Sequence, residues 1–128
     1  MRLHFDRPKD ANRIELEEEL KLLLGYSAGV VRDAQKMTNG LKGLASLKEA
    51  PPSLSIGEAQ EGVHVLTFCH KLLVSEMILR SALRREETRG AHYREDYPLP
   101  DDKNWRASIC LHQGEDGKMV FSTAPVES

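Results

Sequence analysis

Residues 84–98 combine alternating charges with two tyrosines and a glycine at a position where a helix should be ending. The basic side chains alternate with acidic ones, namely Arg84, Arg85, Arg89 and Arg94 with Glu86, Glu87, Glu95 and Asp96. Because the opposite charges cancel, the segment generates no field that would attract nucleic acid. Exposed ion pairs stabilise a protein by only about 0 to 1 kcal/mol each. Forked arginine contacts at a partly dry surface therefore explain this concentration of charge better than stability alone.

A docking surface is the functional hypothesis for this segment, and a solvated run of charges is the alternative. The density of charge favours docking, and the expected contact residues are Arg89, His92, Tyr93, Arg94, Asp96 and Tyr97. The carboxylates Glu95, Asp96, Asp101 and Asp102 could instead act as acid–base groups or calcium ligands. Arginines lie between them, however, and Pro98 and Pro100 disrupt any compact oxygen cage. We therefore expect these carboxylates to be salt-bridged to arginine.

Two histidines and a cysteine could suggest metal or thiolate chemistry elsewhere in the chain. His64 and His70 are six residues apart on a predicted helix, which turns them away from each other and from the i, i+4 geometry of a helical metal pair. A core or interface position is the simpler interpretation of both. Cys69 precedes His70, but adjacent helical residues point about 100° apart. We expect Cys69 to be a buried structural cysteine.

Motifs for binding phosphate or activating a nucleophile are missing from the sequence. The nearest candidate, GLKG at residues 40–43, lies inside a helical pattern and lacks the third glycine of a dinucleotide fingerprint. Close helix packing at Gly40 and Gly43 is the expected reason for these glycines. We predict no catalytic, cofactor-binding or metal-binding residue in this chain. A small enzyme using His92 with Glu95 is the weakest alternative, because no nucleophile or oxyanion donor accompanies them.

Length and composition describe one ordinary soluble domain. A chain of 128 residues can bury one core, and its 40% hydrophobic and 30% charged content argues against disorder. With a net charge of -2, neither nucleic acid nor lipid is an expected partner. The first residues lack a signal-peptide pattern, so the expected location is the cytoplasm. Cys69 and Cys110 have no companion cysteines, which leaves a disulfide framework or a zinc or iron–sulfur cage unsupported.

Two helices are predicted in the first half of the chain. The first spans about residues 13–24 and has a capping-box-like start at Asn12 and Glu15. The second spans about residues 28–48. Ser27 should cap its start and the Pro51-Pro52 pair should end it.

A third helix, over about residues 58–88, should be the central one, because its apolar stripe is wide. Replacing Leu73 or Met77 with alanine should destabilise the protein most, since each buried apolar side chain contributes about 1.5 to 3 kcal/mol. Gly90 is placed to end this helix in a left-handed conformation.

An extended strap over residues 89–105 should follow, and then a hairpin over residues 106–123, where apolar and polar residues alternate around a glycine turn. The predicted fold is therefore mainly α: a three-helix bundle, spectrin-repeat-like in architecture, with an extended strap and a small C-terminal β-hairpin. An isolated hairpin is marginal in water, so one of its faces must lie on the helices or on another protein.

A long phrase in the strap resembles a known family. The sequences ETRGAHYREDYP at residues 87–98 and DDKNW at 101–105 are similar to the C-terminal domain of succinate dehydrogenase and fumarate reductase flavoprotein subunits. GYSAGVVRD at residues 25–33 resembles the turn between the first two helices of that domain. DGK at 116–118 and APV at 124–126 fit its terminal hairpin. The family usually has serine where this chain has a threonine at position 88, a change that keeps the hydroxyl.

The resemblance implies a domain without the reactive groups of the family. There the FAD-binding domain, the dicarboxylate-binding histidine and arginines, and the proton-delivering arginine all lie N-terminal to this region. No cofactor is expected in this chain, whereas the parent protein would bind FAD and move a hydride between a dicarboxylate and the flavin. Aspartate oxidases and adenylylsulfate reductases share a similar helical tail, so the parent's substrate stays open, although the hairpin after Asn104-Trp105 looks more like the succinate/fumarate branch.

The role implied by the resemblance is structural. The domain would support the FAD-binding domain and lie near the iron–sulfur subunit, with no direct membrane contact and with membrane association only through partner subunits. The alternative from another class is a free-standing helical adaptor that binds unrelated proteins through the same strap. An excised domain and a split-gene product both agree with the sequence.

Overall fold

The computed structural model of the protein describes residues 13–49 and 59–126. Along these residues the elements are α1 Arg13–Ser27, α2 Ala34–Glu49, α3 Ala59–Arg84, α4 Asp102–Trp105, β1 Ala107–Gln113 and β2 Met119–Pro125. The first three helices form a bundle, and the two strands pair as an antiparallel hairpin. The predicted architecture, a mainly α bundle with a C-terminal hairpin, is confirmed. The predicted capping residue Asn12 and the Pro51-Pro52 pair lie outside the described residues.

The hydrophobic core lies where the three long helices meet. Its members recur every three or four residues along each helix, as expected for faces turned toward a common axis. They are Leu16, Leu20 and Leu23 from α1, Met37, Leu44 and Leu47 from α2, and Phe68, Leu72, Leu79 and Ala82 from α3. Each large side chain buried in this way contributes about 1.5 to 3 kcal/mol.

Two glycines of α2 allow the helices to approach closely. A Cβ atom on Gly40 would lie 2.5 Å from the Cβ of the buried Ser27 and 3.1 Å from a methyl carbon of Leu79. A Cβ atom on Gly43 would overlap the Leu23 side chain. The expected close packing at both glycines is confirmed, and the three long helices meet at Gly40.

The second helix begins later than the sequence suggested. Ser27 is still part of α1, is buried, and donates its hydroxyl proton to the Leu23 carbonyl at 2.7 Å. It is therefore not the cap of α2. Asp33 takes that role, because its Oδ1 accepts a hydrogen bond from the Lys36 amide at 2.7 Å, in the geometry of an N-cap residue. The prediction of Ser27 as the cap was wrong because α1 continues to that residue.

The outer side of α3 is apolar but uncovered. Leu73 and Met77, which we expected in the core, are 48% and 37% exposed, whereas Phe68 and Leu79 are fully buried. That expectation was wrong because α3 is apolar on almost every side, so periodicity alone does not reveal which stripe faces inward. Cys69 is also exposed rather than buried, since it lies beside Phe68 on the side of α3 that turns away from the core.

The hairpin has a regular register, from Ala107 opposite Pro125 to Gln113 opposite Met119. Gly117 adopts φ 80° in the connecting turn, a conformation that favours glycine. The half-buried residues of the hairpin, among them Ile109, Leu111, Met119 and Phe121, alternate with exposed ones. The strands extend to Pro125, slightly past the predicted end of the hairpin.

Candidate functional site

The strap begins with a tight turn rather than with the end of α3. Gly90 has φ 58°, and on either side of it Arg89 and His92 exchange two backbone hydrogen bonds of 2.9 and 3.0 Å. The left-handed conformation predicted for Gly90 is therefore present, but α3 has already ended at Arg84. The prediction that α3 continues to residue 88 was wrong, because a side chain of the strap caps the helix at an earlier residue.

That capping side chain is Arg94, which is 1% exposed. Its Nη1 donates to the Leu83 carbonyl at 2.8 Å, in the last turn of α3, and to the Arg85 carbonyl at 3.0 Å, just past the end of the helix. The remaining nitrogens form a fork on the Asp96 carboxylate, with Nε to Oδ1 at 2.9 Å and Nη2 to Oδ2 at 2.6 Å. Arg94 therefore satisfies its donors inside the chain.

Asp96 extends this contact to a second helix. Its Oδ2 accepts a hydrogen bond of 3.0 Å from the amide of Ala34, the first residue of α2. Hydrogen bonding from Arg94 lowers the pKa of Asp96 despite partial burial, so the carboxylate is charged beside the positive end of the α2 dipole. The pair of Arg94 and Asp96 thus connects the C-terminal end of α3 to the N-terminal end of α2.

Glu87 is the second buried centre of charge. Its carboxylate, fully buried, accepts hydrogen bonds from Arg85 Nη1 at 2.6 Å, from Arg89 Nε at 3.0 and 3.1 Å, and from the Asp101 amide at 3.0 Å. Burial raises the pKa of Glu87, but the hydrogen bonds from Arg89, the Asp101 amide and Arg85 outweigh it and lower the pKa to about 2. Arg89 also pairs with Asp102 at 2.5 Å, which ties both ends of the strap together.

His92 is a neutral ring that lies between Arg32, in the connection from α1 to α2, and Arg85, which follows α3. Its Nε2 lies 3.1 Å from the Arg85 carbonyl and its Nδ1 lies 3.2 Å from Arg32 Nη1. A carbonyl only accepts and a guanidinium only donates, so the proton belongs on Nε2 and Nδ1 accepts. Burial lowers the pKa of His92, and the charges of Arg32, Arg94 and Arg85 lower it further.

The connection between α1 and α2 pairs directly with the strap backbone. The Arg32 amide donates to the Tyr93 carbonyl at 3.0 Å, and the Glu95 amide donates to the Arg32 carbonyl at 2.8 Å. The strap is therefore fixed to the bundle by backbone and side-chain contacts together.

The C-terminal hairpin is attached to α3 through arginines that sequence reasoning had treated only as part of a charge run. Arg85 donates to the carbonyls of Trp105 and Ala107 at 2.9 and 2.6 Å, and its guanidinium carbon lies 5.4 Å from the centre of the Trp105 ring. Arg84 lies over the Phe121 ring at 5.2 Å. No sequence signal identifies these partners, because they are non-local and two of them are backbone carbonyls.

The six residues assigned to docking fall into two groups. Arg94 is buried and His92 is half-buried, and the Asp96 side chain is engaged by Arg94 and α2. Tyr93, Tyr97 and Arg89 remain close to 40% exposed. The docking assignment stays a prediction, and its geometric support lies with these three exposed residues. Of the four carboxylates expected to pair with arginine, Asp96 and Asp102 do so. Glu95 and Asp101 form no ion pair with arginine within residues 13–49 and 59–126, and Asp101 instead accepts hydrogen bonds from Asn104.

The charged groups of this network are engaged with each other. Its arginines and carboxylates neutralise each other, and among residues 13–49 and 59–126 no group of three or more His, Cys, Asp or Glu side chains could hold a metal ion. No buried side-chain nitrogen or oxygen in the same residues lacks a hydrogen-bond partner. The contacts that the strap makes in this structure are mainly ion pairs and hydrogen bonds.

Two hollows border the outer face of α3. One, of about 470 Å³, lies between α1 and α3, with Leu20, Leu24, Val74 and Ile78 forming its apolar part. Its other lining residues are polar or charged, namely Glu17, Lys21, Thr67, His70, Lys71 and Ser75. The other, of about 670 Å³, lies between α3 and the hairpin. The segment Gly62–Arg84 is also long and apolar enough to cross a membrane by length and composition. Core helices of bundles also meet these two criteria, so length and composition alone are weak evidence for a membrane span.

A family model described as "Fumarate reductase flavoprotein C-term" matches residues 17–128. The chain belongs to this family. The resemblance seen in the strap is thereby confirmed over most of the sequence. Within this fumarate reductase flavoprotein C-terminal family, the hydroxyl kept by Thr88 has a structural use. It accepts a hydrogen bond from the Arg94 amide at 3.0 Å and donates one to the Tyr97 carbonyl at 2.8 Å.

Relatives of known name agree with the family assignment. The chain is 30% identical over 117 residues to the fumarate reductase flavoprotein subunit of Mycobacterium tuberculosis, covering 88% of this chain and 20% of that protein. It is 32% identical over 107 residues to the L-aspartate oxidase of Streptomyces coelicolor, covering 81% of this chain and 18% of that protein. The chain thus spans about a fifth of the length of the curated relatives it matches.

Solved structures share the fold. The E. coli quinol fumarate reductase flavoprotein superposes with a TM-score of 0.79 at 25% identity, covering 91% of this chain and 21% of that one. Adenylylsulfate reductase from Archaeoglobus fulgidus gives a TM-score of 0.84 at 24% identity, covering 95% and 20%. The second likeness concerns the fold alone. Bundle, strap and hairpin therefore recur in proteins of different names.

Proposed function

We propose that this member of the family is a structural and docking domain for an FAD-dependent oxidoreductase of the fumarate reductase or succinate dehydrogenase type. By itself it is not catalytic. FAD and the dicarboxylate site belong to the parent protein. The residues of this chain contribute a binding surface rather than catalytic groups. The curated relatives it matches are about five times longer than the matched region, which leaves room for a flavin-binding part.

The observation that carries this proposal is the uncovered apolar face of α3. Leu66 and Val74 are 58% and 51% exposed, and Ile78 is 45% exposed beside the hollow against α1. A helix that is apolar all round normally lies inside a larger protein. Exposed apolar side chains bordered by polar ones, here Lys21, His70 and Lys71 around the hollow, typically mark an interface. The natural occupant is the FAD-binding domain of the same flavoprotein.

The exposed strap residues supply the polar border of that interface. Tyr93, Tyr97 and Arg89 are residue types enriched at protein interfaces, where they combine an apolar body or stem with a hydrogen-bonding tip. Buried pairs hold the strap rigid beneath them, and a rigid surface loses less entropy on binding. The iron–sulfur subunit is the proposed second partner.

Membrane association is proposed only through partner subunits. One solved relative is a quinol fumarate reductase, and quinols are apolar molecules that partition into lipid. The proposed address of this chain is the cytoplasmic side, with no direct membrane contact.

The test uses the M. tuberculosis relative produced without its matched C-terminal fifth. Calorimetric titration of this chain into that flavin-binding portion should give a complex with a negative heat-capacity change, the mark of apolar burial. Val74→Glu should weaken binding at least about tenfold, since a charge would be buried. Leu22→Glu is the matched control, because Leu22 is 65% exposed on α1 and lines neither hollow.

A second arm removes the risk of species mismatch. In a chimera, this chain replaces the matched fifth of the relative, and flavin content and fumarate reduction are measured. A chimera that keeps FAD, and loses it with Val74→Glu but not with Leu22→Glu, supports the proposal. Equal behaviour of the two variants in both arms would contradict the α3 interface. Reduction of fumarate by the chain alone would contradict the non-catalytic assignment.

A further inference from the structure

The groove between α3 and the hairpin is built from two apolar faces that do not close on each other. Leu73 and Met77 form its α3 side, and Leu111, Met119 and Phe121 form its hairpin side. The hairpin is attached at its base by Arg85, which donates to the Trp105 and Ala107 carbonyls, and nearer its turn by Arg84, which lies over the Phe121 ring. A groove of about 670 Å³ remains between the hairpin and α3.

The hairpin needs something to cover this face. A two-stranded hairpin is marginal in water without packing on one side, and the inward residues of this one remain only half-buried. Ordinary ligand pockets have volumes of about 300 to 1,000 Å³, so the groove is large enough for several apolar side chains. Its length along two elements suits a chain segment better than a compact ligand.

The charged side chains at the rim of the groove indicate which net charge a bound segment should carry. Lys48, Arg80 and Lys118 contribute three positive charges, and Glu76 contributes one negative charge. Glu76 is already neutralised, because Lys48 and Arg80 both bind its carboxylate. Burial raises the pKa of Glu76, but these two partners lower it on balance, so it stays ionised. Lys118 makes no ion pair within residues 13–49 and 59–126.

We propose that this groove binds an acidic chain segment of a partner protein, one that carries at least two large apolar side chains and a carboxylate that reaches Lys118. The apolar side chains lie between Met77 and Met119, and the segment completes the packing of the hairpin. The site is separate from the hollow against α1 used in the proposed function, so either proposal can fail while the other stands.

Methionine methyl groups provide a direct readout. The chain has four methionines, at positions 1, 37, 77 and 119. Met77 and Met119 line the groove, and the fully buried Met37 serves as an internal reference. The probe is a synthetic peptide of alternating leucine and glutamate pairs, added to the full chain labelled at the methionine methyl carbons. The expected result is movement of the Met77 and Met119 signals without movement of Met37.

Variants and altered peptides decide the chemistry. Lys118→Glu should weaken peptide binding about fivefold, as expected for an exposed ion pair, and Met77→Glu should abolish it. Lys42→Glu, an exposed lysine on α2 that does not line the groove, should leave affinity unchanged. A peptide with lysine in place of glutamate, and one with serine in place of leucine, should both bind more weakly.

Several outcomes would overturn the proposal. One is the absence of any shift at Met77 and Met119. Another is equal affinity for the acidic and basic peptides, which would show that charge does not select the occupant. A third is self-association of the free chain in sedimentation that Met77→Glu removes, because the occupant would then be a second copy.

Discussion

The Arg94 guanidinium and the Asp96 carboxylate form a two-bond fork within the chain, at 2.9 and 2.6 Å. The same guanidinium caps α3 and the same carboxylate caps α2. The charged strap is therefore first a structural clamp between helix ends. The proposed docking role rests on the residues that project outward from this clamp.

Replacement of Arg94 should destabilise the protein because its guanidinium is buried and fully engaged. Arg94→Ala should lower the free energy of unfolding by about 3 to 5 kcal/mol, the range for breaking a buried ion pair. Arg94→Lys should recover only part of this loss, since an ammonium group cannot make a planar fork and reach two carbonyls as well. Urea denaturation measures both, with Arg106→Ala at an exposed position as the control. Equal midpoints for Arg94→Ala and Arg106→Ala would refute the capping role.

Glu87 should make stability depend on pH in the acid range. Its pKa is about 2 in the folded protein, below the ordinary value of 4.5. The carboxylate therefore contributes its full stability above about pH 4.5, and the contribution is lost as pH falls toward 2. Glu87→Gln should lower stability at pH 7 and flatten this acid dependence in unfolding curves. Glu115→Gln, in the exposed hairpin turn, should keep the wild-type slope; the same slope for Glu87→Gln would argue against a charged, buried Glu87.

His92 should add an earlier step at milder pH. Its pKa is lowered from 6.5 in the folded state by burial and by neighbouring arginines. The stabilising contact of the neutral ring is complete above about pH 6.5 and is lost as pH falls through the folded pKa, because a proton on Nδ1 would face Arg32. NMR titration of the His92 ring should give a midpoint below 6.5, and His92→Gln should remove this step from the stability profile. The exposed His70→Gln should leave it in place. A His92 midpoint above 6.5 would contradict a neutral ring stabilised by burial and by the neighbouring arginines.

The two glycine environments predict opposite effects of the same substitution. Gly40→Ala should destabilise the protein by about 1 to 3 kcal/mol, because its Cβ would collide with Ser27 and crowd Leu79. Gly62→Ala, in α3 with nothing within 4 Å of the added Cβ, should stabilise by up to about 1 kcal/mol through helix propensity. Thermal unfolding of both variants provides the comparison. A neutral Gly40→Ala would mean that α1 and α2 can move apart at this point without loss.

Local patterns predicted much of the fold. The three helices, the hairpin and its glycine turn follow from spacing of three or four residues and from alternation, since both are local consequences of backbone geometry. Close packing at Gly40 and Gly43 could also be predicted, because glycines inside an apolar helix usually permit approach. The family resemblance came from an unbroken phrase in the strap.

The ends of the helices and the helix faces that point into the core were harder to predict, because both depend on tertiary contacts. The end of α3 depends on Arg94 and the start of α2 depends on Asp33 and Asp96, and two of these three caps are distant in sequence. The stripe of α3 that faces the core could not be predicted, because Leu73 and Leu72 are equally apolar and only tertiary packing separates them. We did not predict that the Arg94 side chain is buried, because a high density of charged residues does not show which of their side chains point into the protein.

The contact between Ala34 and Asp96 joins residues 62 positions apart. Closing so long a loop has an entropic cost that only a nearly finished bundle can offset. We expect this connection to form after the rate-limiting step of folding, so that weakening it accelerates unfolding and hardly slows refolding. The strap would then set the unfolding rate of the assembled bundle, and so its lifetime, more than its folding rate.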